Sequence, residues 1–382
     1  MNFVIALGSF LLGYFAEKLA DGVLNIFLRI VRKWRLKRQV RSHTETKYKD
    51  IMLIASGVPF FSPNNISITY NPEENIFLAV PEDLRTQLPE CVGNFCKEDQ
   101  GIDRVSFPGR SKEEVKRVME IARRNVAEKF IQREDGLYFN EVKYGVSYLD
   151  GFSRTSDTSE DPILMLKVYQ TDHFTHRVLS ETVRGLKVEP ENISLQELNG
   201  PQSWMRTSFG LSIIVILSST DQIVMTYRST NASYSEGKKW IYVSATETFT
   251  KADDDPYSHS PDLLLCLERG IMEELGITKE MYSRENIRFY DAFFETNFYQ
   301  DGVVASVTLK QDVNYASLQK RKAKDKQLEV DSMFLIGNSC KHIEEFIEHN
   351  KENMRSQTIF ALKSYSSRLE NDAMKKYKSN IK

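Results

Sequence analysis

Cysteine is scarce in this chain, with four thiols (Cys91, Cys96, Cys266 and Cys340) among 382 residues. So few cannot staple a polypeptide of this length, which argues against a disulfide framework and for a reduced, cytosolic setting. Only Cys91 and Cys96 lie close together, and their Cys-x4-Cys spacing has no second Cys or His pair beside it, a weak pattern for zinc. An excess of one charge is also missing. The 51 basic and 53 acidic residues nearly cancel, so no overall field draws the chain to nucleic acid, and no nucleic-acid partner is expected. Long apolar runs are lacking too: the unbroken apolar stretch up to Ala16 is too short to cross a bilayer alone. What is present is an apolar fraction of 41% and an aromatic fraction of 11%. That is ample for real cores, and the length gives room for roughly two domains plus appendages.

Charge is uneven along the chain. Arg29, Arg32, Lys33, Arg35, Lys37, Arg38 and Arg41 crowd together directly after the N-terminal apolar segment. From Phe3 to Leu28 the chain is long enough to span about 30 Å of hydrocarbon as a tilted helix, although Glu17 and Asp21 interrupt it at about 2.5 to 3.5 kcal/mol each at a helix centre. Ser9, Gly13, Glu17, Asp21, Asn25 and Arg29 recur every fourth residue as a small and polar seam, read as a helix-helix interface. The expectation is one N-terminal transmembrane helix in the inner (cytoplasmic) membrane, single-pass and homo-oligomeric, with the lipid bilayer as partner and the main body cytoplasmic by the positive-inside rule. A monotopic amphipathic helix with Trp34 and the basic cluster on an anionic surface is the competing reading. A cleavable secretory signal fits poorly because the positive charge follows the apolar core.

The expected organisation is a transmembrane or membrane-associated helix at 1–31, a basic juxtamembrane linker at 32–47, a mixed α/β domain at 48–200, a second domain at 201–370 and a basic tail at 371–382. In the first domain, Ile51–Ala55 and Ile66–Tyr70 read as strands, and 112–131 as an amphipathic helix with apolar Val115, Val118, Met119, Ile121, Ala122, Val126 and Phe130. Strands return at Val142–Tyr148 and Ile163–Tyr169 around a polar turn. The second strand runs into Asp172, His173, His176 and Arg177, the densest group of potential ligand-binding side chains in this half. As a metal site the group lacks a third ligand at suitable spacing, so a surface polar loop competes with a phosphate- or base-binding role.

In the second domain, Ser208–Leu217 and Ile223–Ser229 form a hairpin across Ser219–Gln222, followed by strands at Trp240–Glu247, Ile287–Glu295, Val303–Leu309 and Leu328–Leu335. Helical spacing appears at Cys340–Ile347 and Ser356–Leu362. The run Glu268-Arg269-Gly270-Ile271-Met272-Glu273-Glu274-Leu275-Gly276-Ile277 reads as a helix that carries adjacent carboxylates and closes at Gly276. An isolated Glu-Glu pair at a helix end is usually solvated surface, but this one sits within a strand-rich context.

That run resembles the core of the Nudix box, G-x5-E-x7-R-E-U-x-E-E-x-G-U, through Arg269, Ile271, Glu273, Glu274, Gly276 and Ile277. Gly270 stands where the family places its first metal-binding glutamate, and strict spacing would put the upstream glycine and glutamate at Asp255 and Pro261. An insertion through Asp253-Asp254-Asp255-Pro256 and Ser260-Pro261-Asp262 accounts for the shift. The resemblance implies a Nudix-like α/β/α sandwich from near Trp204 to near Arg368. It also implies Mg or Mn on Glu273, Glu274 and Glu247 of a weakened site, with Glu268 a further possible ligand. Glu273, Glu274 and Arg269 would be its catalytic group, with Glu247 or Glu329 as base or extra ligand. Arg228 and Trp240, with Asp172, His173, His176 and Arg177, are the candidate ligand-binding residues. Two functions follow from the resemblance. The first is a membrane-anchored sensor of a nucleotide-type small molecule, similar to bacterial antiphage effectors that couple a ligand module to a membrane segment. The second is a membrane-tethered, metal-dependent pyrophosphohydrolase of nucleoside diphosphate derivatives.

Overall fold

The computed structural model describes residue 31 and residues 50–379, apart from 108, 133–138, 153–160, 189–192, 231–238, 256, 258–259 and 325–328. The polypeptide organises around strand β5 (Ser208–Leu217), every residue of which is buried. Its alternation explains why: Leu211, Ile213, Val215 and Leu217 face one apolar core, whereas Ile214 and Ile216 face another. A strand of β-branched and leucine side chains with period two must be covered on both faces.

On one side β5 pairs in parallel with β10 (Gln300–Leu309) over its whole length. Beyond lie β9 (Tyr282–Glu295) and β1 (Ile51–Phe61), each antiparallel to its neighbour. The other side is shared. β6 (Gln222–Arg228) pairs only with Val215–Leu217, and β8 (Ala245–Thr248) takes over at Gly210–Ile213. The short β7 (Ile241–Tyr242) stays on β6, whose other edge carries β11 (Val330–Gly337). The expected continuous strand Trp240–Glu247 is therefore broken at Val243-Ser244, because the chain must step from the ladder of β6 to that of β5. Ser244 fills the step: its hydroxyl accepts the Val215 N–H at 2.7 Å and donates to the Val224 carbonyl.

Three further strands, β2 (Ile66–Tyr70), β4 (Ile163–Asp172) and β3 (Val142–Phe152), form a second sheet in the order β2-β4-β3. Helix α1 (Lys112–Gln132) buries Val115, Met119, Ala122, Val126 and Phe130, at the three- and four-residue spacing that lines up one helix face. It packs with α2 (His173–Gly185) against one continuous core that joins this sheet to the large one. Helix α3 (Leu263–Leu275) contributes Leu267, Ile271 and Leu275 to the same core. Helices α4 (Cys340–Asn350) and α5 (Ser356–Ser379) cover the opposite face of the large sheet. Because β1 precedes the second sheet yet pairs with β9, the large sheet draws strands from both sides of the expected 200/201 boundary.

The expected fold class needs a correction. Among the described residues the fold is mixed α/β, and no helix is long and apolar enough to cross a membrane. The expected transmembrane helix and the single-pass membrane localisation built on it are accordingly withdrawn. Residues 1–30, with Ser9, Gly13, Glu17 and Asp21, lie outside the described residues. The weak point of that expectation is physical: Glu17, Lys18 and Asp21 break the apolar stretch, and an apolar span is what membrane crossing requires.

Candidate functional site

The division of the β5 edge between β6 and β8 opens a cleft of ≈ 600 Å³, within the size range of small-molecule sites. Strand β8 and helix α3 form one wall. The helix starts at Asp262, whose side chain accepts the Leu264 N–H at 2.8 Å, and ends at Gly276 with φ of 71°. That left-handed C-terminal position suits glycine. Between these caps, the apolar positions hold the helix on the core and turn Arg269, Glu273 and Glu274 toward the cleft.

Arg269 is the organiser of this wall. Its Nε and Nη2 donate to Asp254 at 3.1 and 2.8 Å, Nη2 also donates to the Thr248 carbonyl at 2.7 Å, and Nη1 lies 2.7 Å from Glu247 Oε1. Glu273 is 3.6 Å from Nη1 and 2.8 Å from Lys324 Nζ. Burial works against the Arg269 charge, but Asp254 and Glu247 hold it firmly protonated. Burial also pushes Glu247 up to about 8, with Arg269 pulling only partly the other way. Glu274 accepts the Thr246 N–H at 3.0 Å. Its pKa is raised well above the usual carboxylate range, first by burial and then by Glu329, against the pull of Arg228.

Gly270 has a geometric reason. A Cβ built there would lie 2.7 Å from Glu247 Cβ and 3.3 Å from its Oε2. The Glu247 side chain thus occupies the space that a residue at 270 would claim, and the carboxylate comes from the strand instead of the helix.

The facing wall is cationic. Arg228, at the end of β6, pairs with Glu329 at 2.5 Å and stacks 5.2 Å from the Tyr242 ring centre. Arg355 donates to the Tyr242 hydroxyl at 3.0 Å and lies 3.6 Å from the Phe298 ring centre. Lys143 enters from β3 and donates to Ser208 Oγ at 3.2 Å. Its pKa is lowered to about 7 by burial, with Asp172 opposing the shift. The cleft is thus lined by Glu141, Glu247, Asp253, Glu273, Glu274 and Glu329 against Lys143, Arg228, Arg269, Lys324 and Arg355, with Phe139 exposed beside them.

The sequence candidates are distributed as follows. Glu247, Arg269, Glu273, Glu274, Arg228 and His173 line the cleft. Glu268 points away from it and is held by Arg284 at 2.7 Å and Lys279 at 3.1 Å, which lower its pKa in spite of burial. Trp240 takes no part in the lining, and its carbonyl accepts the Arg228 N–H at 2.8 Å. Asp172 to Arg177 is not a loop: Asp172 caps α2 by accepting the Thr175 N–H at 2.7 Å, a role its short acceptor side chain favours. His176 is buried, with Nδ1 2.9 Å from Thr207 Oγ1. Burial, followed by the nearby Lys143 charge, holds both His173 and His176 well below the ordinary imidazole pKa. Arg177 is absent from the lining.

Sequence reasoning missed Lys143, Asp254 and Arg355 as members of this site. Lys143 had a signal, a lone charge within the apolar strand at Val142–Tyr148. No signal marked Arg355. Among the described residues, no three His, Cys, Asp or Glu side chains are arranged to hold a metal ion. The donor chemistry at Glu247, Glu273 and Glu274 suits Mg or Mn, but their arrangement does not, since Arg269 and Lys324 hold two of the three carboxylates. No family model matches the chain, and no curated protein matches it.

Proposed function

We propose that the cleft binds a nucleotide-type ligand through its phosphate groups, and that recognition rather than turnover is its task. The charge balance carries this reading. Below about pH 7, where Lys143 keeps its proton and burial keeps Glu247 and Glu274 protonated, the five cations of the lining outnumber the four remaining carboxylates. A concave, partly desolvated site with surplus cations is complementary to an anion. Arg228 and Arg355 are braced by aromatic rings, which fixes guanidinium direction and suits phosphate recognition. Phe139, 53% exposed at the cleft, offers a ring face to a base. The Nudix-box resemblance of α3 agrees with a phosphate-bearing ligand, and Gly270 argues against efficient cleavage.

A second reading is favoured by one observation. Glu247 fills the space above Gly270, so a carboxylate is available where the box lacks one, and Mg or Mn on Glu247, Glu273 and Glu274 would support hydrolysis of a diphosphate. That requires Arg269 and Lys324 to release their partners, and the carboxylates as they are paired support no catalytic step. Equilibrium binding of a panel of nucleoside 5′-mono- and diphosphates and nucleoside diphosphate sugars to the full chain, with product analysis and with or without Mg or Mn, separates the two. Metal-independent binding without product is expected. Metal-dependent product that disappears in Glu273→Gln would overturn recognition as the primary task.

A further inference from the structure

Lys143 and Thr250 oppose each other across an isolated antiparallel bridge between β3 and the segment after β8. Side chains of directly opposed residues stand on the same side, and both line the cleft. Both are deeply buried, at 5% and 6% exposure. The Lys143 ammonium donates to Ser208 Oγ, and it forms no ion pair among the described residues. Asp172, which caps α2, acts on it only through space, as do His173 and Arg177. The Thr250 hydroxyl has no hydrogen-bond partner among the described residues.

A buried ammonium with one neutral partner and a buried orphan hydroxyl each oppose folding unless something else satisfies them. They lie next to each other at the junction of the two sheets, with the Ser208 hydroxyl beside them. The paired groups of the cleft do not account for them, because Arg228 is matched to Glu329 and Arg269 to Glu247, Asp254 and Glu273.

We propose that Lys143, Thr250 and Ser208 form an anion subsite, shared between the two sheets, that holds a phosphoryl group of the ligand. The subsite extends the nucleotide reading and rests on it for the identity of the ligand. Lys143 supplies a point charge and two further N–H donors, and the two hydroxyls donate to the remaining oxygens. The small three-stranded sheet thereby becomes part of the recognition surface, and it reads the phosphate end of the ligand.

The test uses the full chain, its Lys143→Met and Thr250→Val variants, and three probes: inorganic phosphate, a nucleoside 5′-monophosphate and the corresponding diphosphate. Charge-assisted hydrogen bonds of this kind correspond to about 10- to 100-fold in affinity. Lys143→Met is expected to weaken inorganic phosphate and diphosphate by that factor, and Thr250→Val less. The unliganded melting temperature of Lys143→Met should hold or rise, because the variant removes a buried charge; this readout separates ligand contact from a structural role. Unchanged phosphate and diphosphate affinity in Lys143→Met overturns the subsite and leaves the nucleotide reading standing. Phosphate binding that depends on Lys143 without any nucleotide binding does the reverse. If the parent chain binds none of the probes, both fall. A fall in melting temperature with equal losses for all probes makes Lys143 a structural residue and also overturns the subsite.

Discussion

The ion pairs of the core and those of the cleft use the same side-chain types to different ends. Arg206 and Asp301 are fully enclosed at 0% side-chain exposure. The guanidinium contacts both Asp301 oxygens at 2.6 to 3.0 Å and gives its remaining donors to Asn199 Oδ1 at 2.6 Å and the Leu198 carbonyl at 3.4 Å. Arg368 similarly binds Asp291 at 2.8 and 2.6 Å and reaches the carbonyls of Gly57 and Pro59 at 3.0 Å each, tying α5 to β9 and β1. In the cleft, one arginine serves Glu247, Asp254 and Glu273, Glu274 and Glu247 are pushed toward the neutral acid, and Lys143 and Thr250 lack full sets of partners among the described residues. Saturated pairs fix the fold. Unsaturated ones at a cavity mark where a partner from outside belongs.

The widest gap between the two regions should appear in stability. Arg206→Met leaves Asp301 buried without a counter-ion, and loss of one member of such a pair costs about 3 to 5 kcal/mol. Denaturant unfolding measures it, and a cost near that of a surface pair would erase the distinction. Arg269→Met should cost less, about 1 to 3 kcal/mol, because Glu247, already pushed up by burial, can take up a proton, and Asp254 keeps the Thr250 N–H as a partner at 2.9 Å. The same variant should weaken phosphate-bearing ligands, whereas Arg206→Met should affect them only through folding.

The pH dependence sharpens the contrast further. Glu247 is raised to about 8 in the folded protein, so its burial carries no penalty below its ordinary pKa near 4.5. The penalty grows as pH rises through that window toward 8. Glu274 acts in the same direction. His173 and His176, held below the ordinary imidazole pKa, act the opposite way and favour folding as pH rises, so the Glu247 contribution is read as a difference: relative to Glu247→Gln, the melting temperature of the parent chain should fall between about pH 5 and 8. An unchanged slope in that variant would show that Glu247 is ionised throughout. The smallest effect belongs to the surface. Lys239 and Asp331 pair at 2.9 Å with 57% and 38% side-chain exposure, and Lys239→Ala should cost less than about 1 kcal/mol, with ligand affinity unaltered.

Much of the large sheet was legible because its strands are long, buried on both faces and rich in β-branched residues, as at Ser208–Leu217. The α3 helix and its Gly276 cap were legible for a related reason: apolar periodicity and a left-handed terminus leave local signatures. Partnership across the fold was not. Arg269 and Glu273 share a helix face at four-residue spacing, but Asp254 reaches Arg269 only through the short helix Lys251–Asp254. Lys143 meets Thr250 over a sequence gap that no periodicity spans. Asp172 caps α2, and a helix cap and a binding group share the same chemistry in sequence, a short carboxylate beside backbone N–H groups. The N-terminal stretch has the length of a span but not its chemistry, since Glu17, Lys18 and Asp21 interrupt it.

The central claim is that protonated carboxylates leave the cleft with surplus cations, so that anions bind without a metal. Affinity of the full chain for the tightest-binding nucleoside 5′-diphosphate of the panel, measured in the presence of a chelator from about pH 7 to 9, above the second phosphate pKa of about 6, tests it most directly. Above about pH 7 Lys143 loses its proton, and near pH 8 Glu247 gains a charge, so the account predicts binding that is tightest at the acid end and weakens steadily toward the alkaline end. Affinity that is flat or rises with pH, or that appears only when Mg or Mn replaces the chelator, would contradict it.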